Sequence, residues 1–292
     1  MILVTGGTGL LGSHLLLELL KRQEKVVATK RKDSDLNEVR RVFGYYTHEV
    51  DELFGLIRWV DADLLDYATL LEVMEGIDRM YHCAATVSFE RRHRKRMIRN
   101  NVEGTSNVVN ACIEKRDCRL LHVSSSSAIG SSPGGEPADE SMIYVHTKTS
   151  TGYSISKFKS EMEVWRGIEH GLNAVIVNPT IILGPGYWHR GSSSMFPRVK
   201  KGLPLYTTGE TGFVGVKDTV LAMVQLMDSE IRGERFILNS ENLGYRELLG
   251  MIASAYGMRP PRRAVSYELL MLLSRLDRLA GIITGKRHIT TE

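Results

Sequence analysis

Cysteine is scarce in this sequence. Cys83, Cys112 and Cys118 are an odd number, and none sits at a metal-ligand spacing. That argues against a disulfide-stapled secreted scaffold and leaves reduced thiols inside core elements as the expectation. Long apolar runs are missing too. Residues 15–20 are interrupted by Glu18, and residues 269–283 by Arg275, Asp277 and Arg278, so neither stretch reads as a membrane span. No leader precedes the first strand, and the expectation is a soluble, cytoplasmic protein without membrane contact. A dominant charge is absent: the formal net charge is +4 over 292 residues. Such a balance favours anionic ligands slightly and does not call for nucleic acid. The most basic run, Glu90 to Arg96, carries no interleaved aromatics on which bases could stack, and it reads as a solvated helix face. His82 and His122 lie in strands with no second ligand at useful spacing, so they read as core histidines and no metal is expected. Repeats and low-complexity tracts are also lacking. Hydrophobic residues make up 42% and charged residues 25%, ordinary values for a globular chain with a sizeable core.

What the sequence does have is concentrated at its start. Residues 2–4 read as a short buried strand and residues 10–22 as a helix, with Gly6, Gly7, Gly9 and Gly12 between and just inside them. Glycine reaches backbone angles closed to other residues, and its missing side chain lets a pyrophosphate approach the main chain. The N–H groups that open the helix, at Leu10 and Leu11, point at that anion together with the positive end of the helix dipole. Gly7-x-Gly9-x-x-Gly12 thus fits the dinucleotide-binding fingerprint in its strand–turn–helix setting.

Strands then alternate with helices: strands near 25–29, 56–60, 80–85, 120–123 and 174–177, with helices between them, including one over 151–170. This alternation predicts an α/β fold with a doubly wound parallel sheet. The expected division is a nucleotide-binding domain over 1–180, to which 213–239 return with a strand at 213–216. A smaller C-terminal substrate-binding lobe is expected over 181–212 and 240–292, ending in helices near 245–257 and 266–281. Where NAD-binding folds place an acidic residue after the second strand, this chain has Thr29-Lys30-Arg31-Lys32. A guanidinium can grip a 2′-phosphate that a carboxylate would repel, so Arg31, helped by Lys30, favours NADP(H) over NAD(H), the alternative being a solvated basic turn. Asp63 can accept a hydrogen bond from the adenine amine or cap the helix that begins near Asp66. Ala84 and Ala85 are small enough to let a flat cofactor lie close.

The chemistry points to Tyr153-x-x-x-Lys157. Residues four apart share a helix face. A neighbouring ammonium favours phenolate and is expected to lower the tyrosine pKa, as proton transfer to a carbonyl oxygen requires. Ser124 to Ser127 tip the fifth strand, where a hydroxyl can hold the same oxygen.

Taken in order, Thr5-Gly6-x-x-Gly9-x-x-Gly12, Asp63-Leu64, Asn101, Val123-Ser124-Ser125, Tyr153-x-x-x-Lys157 and Asn178-Pro179-Thr180 resemble the extended short-chain dehydrogenase/reductases, the NAD-dependent epimerase/dehydratases. The resemblance implies a Rossmann domain, a nicotinamide cofactor and hydride transfer. It implies Tyr153 as acid/base, Lys157 as its tuner and ribose ligand, and Asn101 as support for a relay water. It also places Thr5, Leu64, Pro179 and Thr180 at the cofactor. Counting back from Gly130 selects Ser125 as the serine, with Ser126 as the alternative. A homodimer through the helices near 92–113 and 151–170 is expected, and similar proteins usually continue for a few more elements beyond the place where this sequence stops, at Glu292.

Nucleotide-sugar epimerases usually carry an arginine where this chain has Thr211-Gly212. The run Asn178 to Gly186 looks more like dihydroflavonol reductase-like and hydroxysteroid dehydrogenase-like members. Thr86, Val87, Phe89, Ile182, Tyr187, Trp188 and Met195 are expected to give a largely apolar pocket for a small carbonyl or secondary alcohol. Two other functions fit the motifs: a nucleotide-sugar epimerase or dehydratase holding NAD tightly, and a non-catalytic NADP-binding redox sensor.

Overall fold

The computed structural model describes residues 1–88, 90–130, 137–147 and 150–265. Phe89, the loop glycines Gly134 and Gly135, the expected helix 266–281 and the end of the chain lie outside the described residues.

Ile2-Leu3-Val4 is apolar on both sides of the pleat, the pattern of a strand covered on both faces. It forms β1 (Ile2–Thr5), completely buried. Six more strands join it: β2 (Val26–Lys30), β3 (Arg58–Asp61), β4 (Arg79–His82), β5 (Arg119–Val123), β6 (Ala174–Pro179) and β10 (Glu234–Leu238). Every pairing is parallel, and the order is β10-β6-β5-β4-β1-β2-β3. Alternate residues face opposite layers. Ile2, Val4, Tyr81, Leu121, Val123, Val175 and Val177 pack with α1 (Leu10–Lys21), α2 (Asn37–Gly44), α3 (Val50–Gly55) and α8 (Val216–Asp228). Leu3, Met80, Leu120, Ala174 and Ile176 pack with α4 (Tyr67–Val73), α5 (Arg94–Glu114) and α6 (Gly152–Glu169). The sheet is doubly wound as expected, and its strand order reverses direction between β1 and β4. At such a switch point, open α/β sheets leave a crevice beyond their carboxyl ends.

A second group of elements follows β6. Strands β7 (Ile181–Leu183), β9 (Glu210–Gly215) and β11 (Glu241–Gly244) form a three-stranded sheet, and β8 (Leu205–Thr207) pairs with β12 (Arg263–Val265). A small core of Val199, Phe213, Leu248, Leu249, Ile252 and Ala253 joins them to α7 (Met195–Lys200) and α9 (Tyr245–Ala255). Here one expectation is corrected. The strand at 213–216 does not return to the main sheet: Phe213 and Val214 pair with Ile181 and Ile182 on β7, and Val216 already opens α8. The return is made instead by α8 and β10.

The three cysteines are free thiols. Cys112 and Cys118 are buried and Cys83 is half-buried. Among the described residues no helix is long and apolar enough to cross a membrane.

Candidate active site

The glycine turn closes on itself. The Gly9 N–H donates to the Gly6 carbonyl at 3.0 Å, and the Ser13 N–H donates to the Gly9 carbonyl at 2.9 Å. Gly6 has φ of 72°, and a Cβ there would stand 2.7 Å from the Ala84 nitrogen, so the turn lies flush against the end of β4. A Cβ on Gly12 would collide with the Gly6 carbonyl oxygen. Helix α1 begins at Leu10 with no side-chain cap on its N-terminus. Its first N–H groups are therefore left for an anion above the turn. Beneath it, the Thr5 hydroxyl contacts His82 Nδ1 at 2.8 Å, and His82 Nε2 reaches Thr105 at 3.0 Å. Burial pulls the His82 pKa down to about 3, so this ring is a neutral strut. His122 lies beside it with ring centroids 5.3 Å apart and the planes tilted by 33°. Both are core histidines, as expected.

At the other edge of the crevice, Lys30 and Arg31 take different places. The Lys30 ammonium pairs with Asp61 at 2.5 Å, across the β2–β3 register. A lysine held by a carboxylate offers a weaker grip on phosphate than a free one. Arg31 is exposed on a turn closed by Ser34, and its guanidinium has no ion-pair partner among the described residues. Asp63 does not cap α4. Asp66 does, accepting from the Thr69 N–H, while Asp63 Oδ1 accepts from the Leu65 N–H at 3.0 Å. Leu64 beside it is half-buried, its carbonyl held by Asn107. Pro179 ends β6, and Thr180 after it bonds the Leu238 carbonyl.

The serine tip and α6 come together over β5. Thr151 caps α6 through the Ser154 N–H, setting the helix so that Tyr153 and Lys157 face inward. The Ser125 hydroxyl hydrogen-bonds the Tyr153 phenol. Ser125 Oγ itself accepts from the Ser127 N–H at 3.2 Å and the Ser127 hydroxyl at 2.9 Å. With both of those contacts accepted, its own proton is directed to the phenol. Ser125 is thus the serine that meets Tyr153, while Ser126 opens the short turn 126–128.

Lys157 Nζ donates to the Val123 carbonyl at 2.9 Å and is only 5% exposed. Desolvation pulls its pKa down to about 8, partly opposed by Cys83 and Glu161. The expected lowering of the Tyr153 pKa is not found. Burial raises it, and the Ser125 hydrogen bond only partly offsets that rise. The physical reason is that both groups share a dry site, which disfavours phenolate as well as ammonium.

Asn101 is held by its side chain. Its Oδ1 accepts from the Thr86 N–H at 2.7 Å, and its Nδ2 donates to the Thr86 carbonyl at 2.9 Å and to Ser156 Oγ at 3.1 Å. The amide clamps the loop after β4 onto α6. Of the expected pocket residues, Thr86 is fixed by that clamp beside Ala84 and Ala85, and Ile182 lies half-buried on β7. Tyr187 and Trp188 are held by hydrogen bonds of their own. The Tyr187 hydroxyl donates to the Thr8 carbonyl in the glycine turn, and Trp188 Nε1 donates to the Tyr45 hydroxyl, both at 2.8 Å.

Two partners escaped the sequence reading. Ser127 was one of four adjacent serines with nothing to set it apart, and Glu161, one turn beyond Lys157, reads as an ordinary surface residue of a helix. Glu161 is completely buried.

The profile of the NAD dependent epimerase/dehydratase family matches residues 2–238. The chain belongs to that family. A family member of this kind is an NAD(P)-dependent oxidoreductase. The chain is 30% identical over 278 residues to sterol demethylase protein B of Methylococcus capsulatus, covering 94% of this chain and 80% of that protein. It is 25% identical over 273 residues to a bifunctional dihydroflavonol 4-reductase/flavanone 4-reductase of Pyrus communis, covering 87% and 76%. The likeness to dihydroflavonol reductases noted in the sequence thus recurs among its relatives. A double mutant of DesIV, a dTDP-glucose 4,6-dehydratase of Streptomyces venezuelae solved with NAD, superposes with a TM-score of 0.76 at 21% identity. It covers 91% of this chain and 85% of that one and carries the fold argument.

Proposed function

We propose that this family member is an NADP(H)-preferring oxidoreductase acting on the carbonyl or secondary alcohol of a small, fairly apolar molecule. The observation that carries the reading is the hydrogen-bonded set Ser127–Ser125–Tyr153, with Lys157 one helical turn from the tyrosine. The turn at Gly6 to Gly12 suits a pyrophosphate, because no side chain caps the N-terminus of the helix that follows. A bound nicotinamide supplies or accepts the hydride. Ser125 holds the substrate oxygen, and Tyr153 hands it a proton from the phenol. Lys157 favours phenolate at the moment the proton leaves and offers its ammonium to the ribose. The exposed guanidinium of Arg31 supports the choice of NADP(H) over NAD(H). The absence of a basic side chain at Thr211-Gly212 favours an uncharged substrate over a nucleotide sugar. We further assign the protein to the cytoplasm and expect α5 and α6 to form the interface of a homodimer.

Tyr153→Phe tests the reading. Its kcat for NADPH-dependent carbonyl reduction is expected to fall about a thousand-fold, with the Kd for NADPH unchanged. Unaltered turnover would refute the assignment. Wild-type protein that retains NAD on purification and consumes no NADPH would favour the epimerase reading.

A further inference from the structure

Helix α6 presents a third inward residue after Tyr153 and Lys157. Glu161 is 0% exposed, and its carboxylate is met by four donors. Its Oε2 accepts from the Ser124 hydroxyl at 2.5 Å and from Asn178 Nδ2 at 2.8 Å. Its Oε1 accepts from Arg235 Nη1 at 3.0 Å and from Trp165 Nε1 at 3.3 Å. Carboxylate oxygens offer about four lone-pair sites, so this one is saturated. Burying a carboxylate is costly unless it is paired and fully hydrogen-bonded, and Arg235 supplies the countercharge.

The partners show what the carboxylate holds. Ser124 immediately precedes Ser125. Asn178 Nδ2 bridges Glu161 and the Ser125 carbonyl, at 3.1 Å from the latter. Arg235 also grips the Glu140 and Met142 carbonyls, and Glu140 in turn accepts from the Ile237 N–H at 2.8 Å. One buried carboxylate therefore ties the helix carrying Tyr153 and Lys157 to the strand tip carrying Ser125, and both to the segment before α6. We propose that Glu161, acting through Ser124 and Asn178, is the positioning residue that sets Ser125 against Tyr153 for proton transfer. The inference rests on the Ser125–Tyr153–Lys157 reading given above.

The electrostatic surroundings of this corner are compact. The groups facing Lys157 and Glu161 are His82 on β4, Cys83 just after it, His122 on β5 and Arg235 on β10. His82 and His122 are held neutral by burial, and burial pushes the Cys83 thiol up to about 12.

Glu161→Gln tests the proposal on the full-length protein. An amide keeps the volume but cannot accept from four donors. Misplacing Ser125 by a fraction of an ångström is expected to lower kcat at least about tenfold, with KM for NADPH within about threefold. Independently of turnover, the Tyr153 titration is read as the phenolate absorbance of a protein minus that of its Tyr153→Phe counterpart. It is expected to move upward in Glu161→Gln, in the direction given by Ser125→Ala, because both lose the hydrogen bond that favours phenolate. A change in stability alone would leave that midpoint in place. Ser124→Ala deletes one link without unpairing a charge, and it is expected to produce a smaller shift of the same sign even if Glu161→Gln does not fold. An unmoved Tyr153 titration in the folded variants overturns the proposal, whatever the substrate proves to be. Absence of wild-type carbonyl reduction, with the titration shift present, overturns the functional reading instead and leaves the role of Glu161 intact.

Discussion

The corner where β5 meets α6 and the group of strands that follows β6 are built on opposite plans. In the corner, Ser156, Lys157, Glu161 and Asn178 are polar yet at most 5% exposed, and each has hydrogen-bond partners within the fold. In the later strands, every residue of β7 is only half-buried, and Trp188 remains 36% exposed. The first region fixes atoms to fractions of an ångström, as proton transfer demands. The second leaves more of its side-chain surface open. Sites held by buried hydrogen bonds are precise, whereas segments with few buried contacts open readily. On the proposed reading, catalytic geometry and substrate choice are carried by separate parts of one chain.

The contrast breaks most completely on the crevice side at Gly12. Gly12→Ala puts a methyl group into the Gly6 carbonyl and forces the turn apart. A loss of about 3 kcal/mol of stability, with NADPH binding abolished, is expected for overpacking of this kind. Denaturant unfolding and NADPH fluorescence titration check both halves of the expectation.

Lys157 comes next. Its folded pKa, about 8, lies below the ordinary value of 10.5 because burial disfavours its charge. A base depressed in this way contributes fully to stability above its unfolded pKa and loses that contribution as pH falls through its folded one. Wild type should therefore gain on Lys157→Met by about 2–3 kcal/mol between pH 7 and pH 10. Unfolding free energies of the two proteins at both values measure it. The same ionisation predicts that kcat/KM for carbonyl reduction declines above pH about 8, as the ammonium that favours phenolate is lost.

What could be read in advance from the residues was whatever local spacing specifies. The glycine turn sits within one strand–helix unit, and Tyr153 and Lys157 are one helical turn apart, so neither needs the rest of the chain. Glu161 was invisible because its burial is decided by Arg235, which lies 74 residues further along, on β10. The pairing of β9 was misplaced for a similar reason. Phe213 and Val214 suit either sheet, and only the tertiary position of β7 selects one. The raised Tyr153 pKa has the same origin, since spacing reveals a neighbouring ammonium but not the dryness that surrounds both groups.

Arg31 sharpens the comparison from the cofactor side. It is exposed on its turn, so replacing it should leave stability untouched. Arg31→Ala is expected to weaken NADPH about tenfold or more while leaving NADH within about twofold, the scale of a charge-assisted phosphate contact. Paired fluorescence titrations with the two nucleotides decide it, and equal losses for both would remove the argument for NADP(H).

Trp188 yields the smallest expected effect and the finest test of the division. The sequence suggests a substrate contact, yet its indole donates to Tyr45 at the end of α2 and meets the edge of Phe196, with ring centroids 5.8 Å apart. Its neighbour Tyr187 adopts the left-handed region at φ 53° and reaches the Thr8 carbonyl in the glycine turn. The segment carrying both aromatics therefore crosses over the phosphate-binding turn, and Trp188 anchors it to α2. Trp188→Ala should cost about 1 kcal/mol for the lost hydrogen bond and ring contact. It should raise the Kd for NADPH severalfold by loosening that crossing, and leave KM for the carbonyl substrate nearly unchanged. The reverse pattern, with an altered substrate KM and an unchanged NADPH Kd, would return Trp188 to the substrate pocket and move the boundary between the two regions toward the glycine turn.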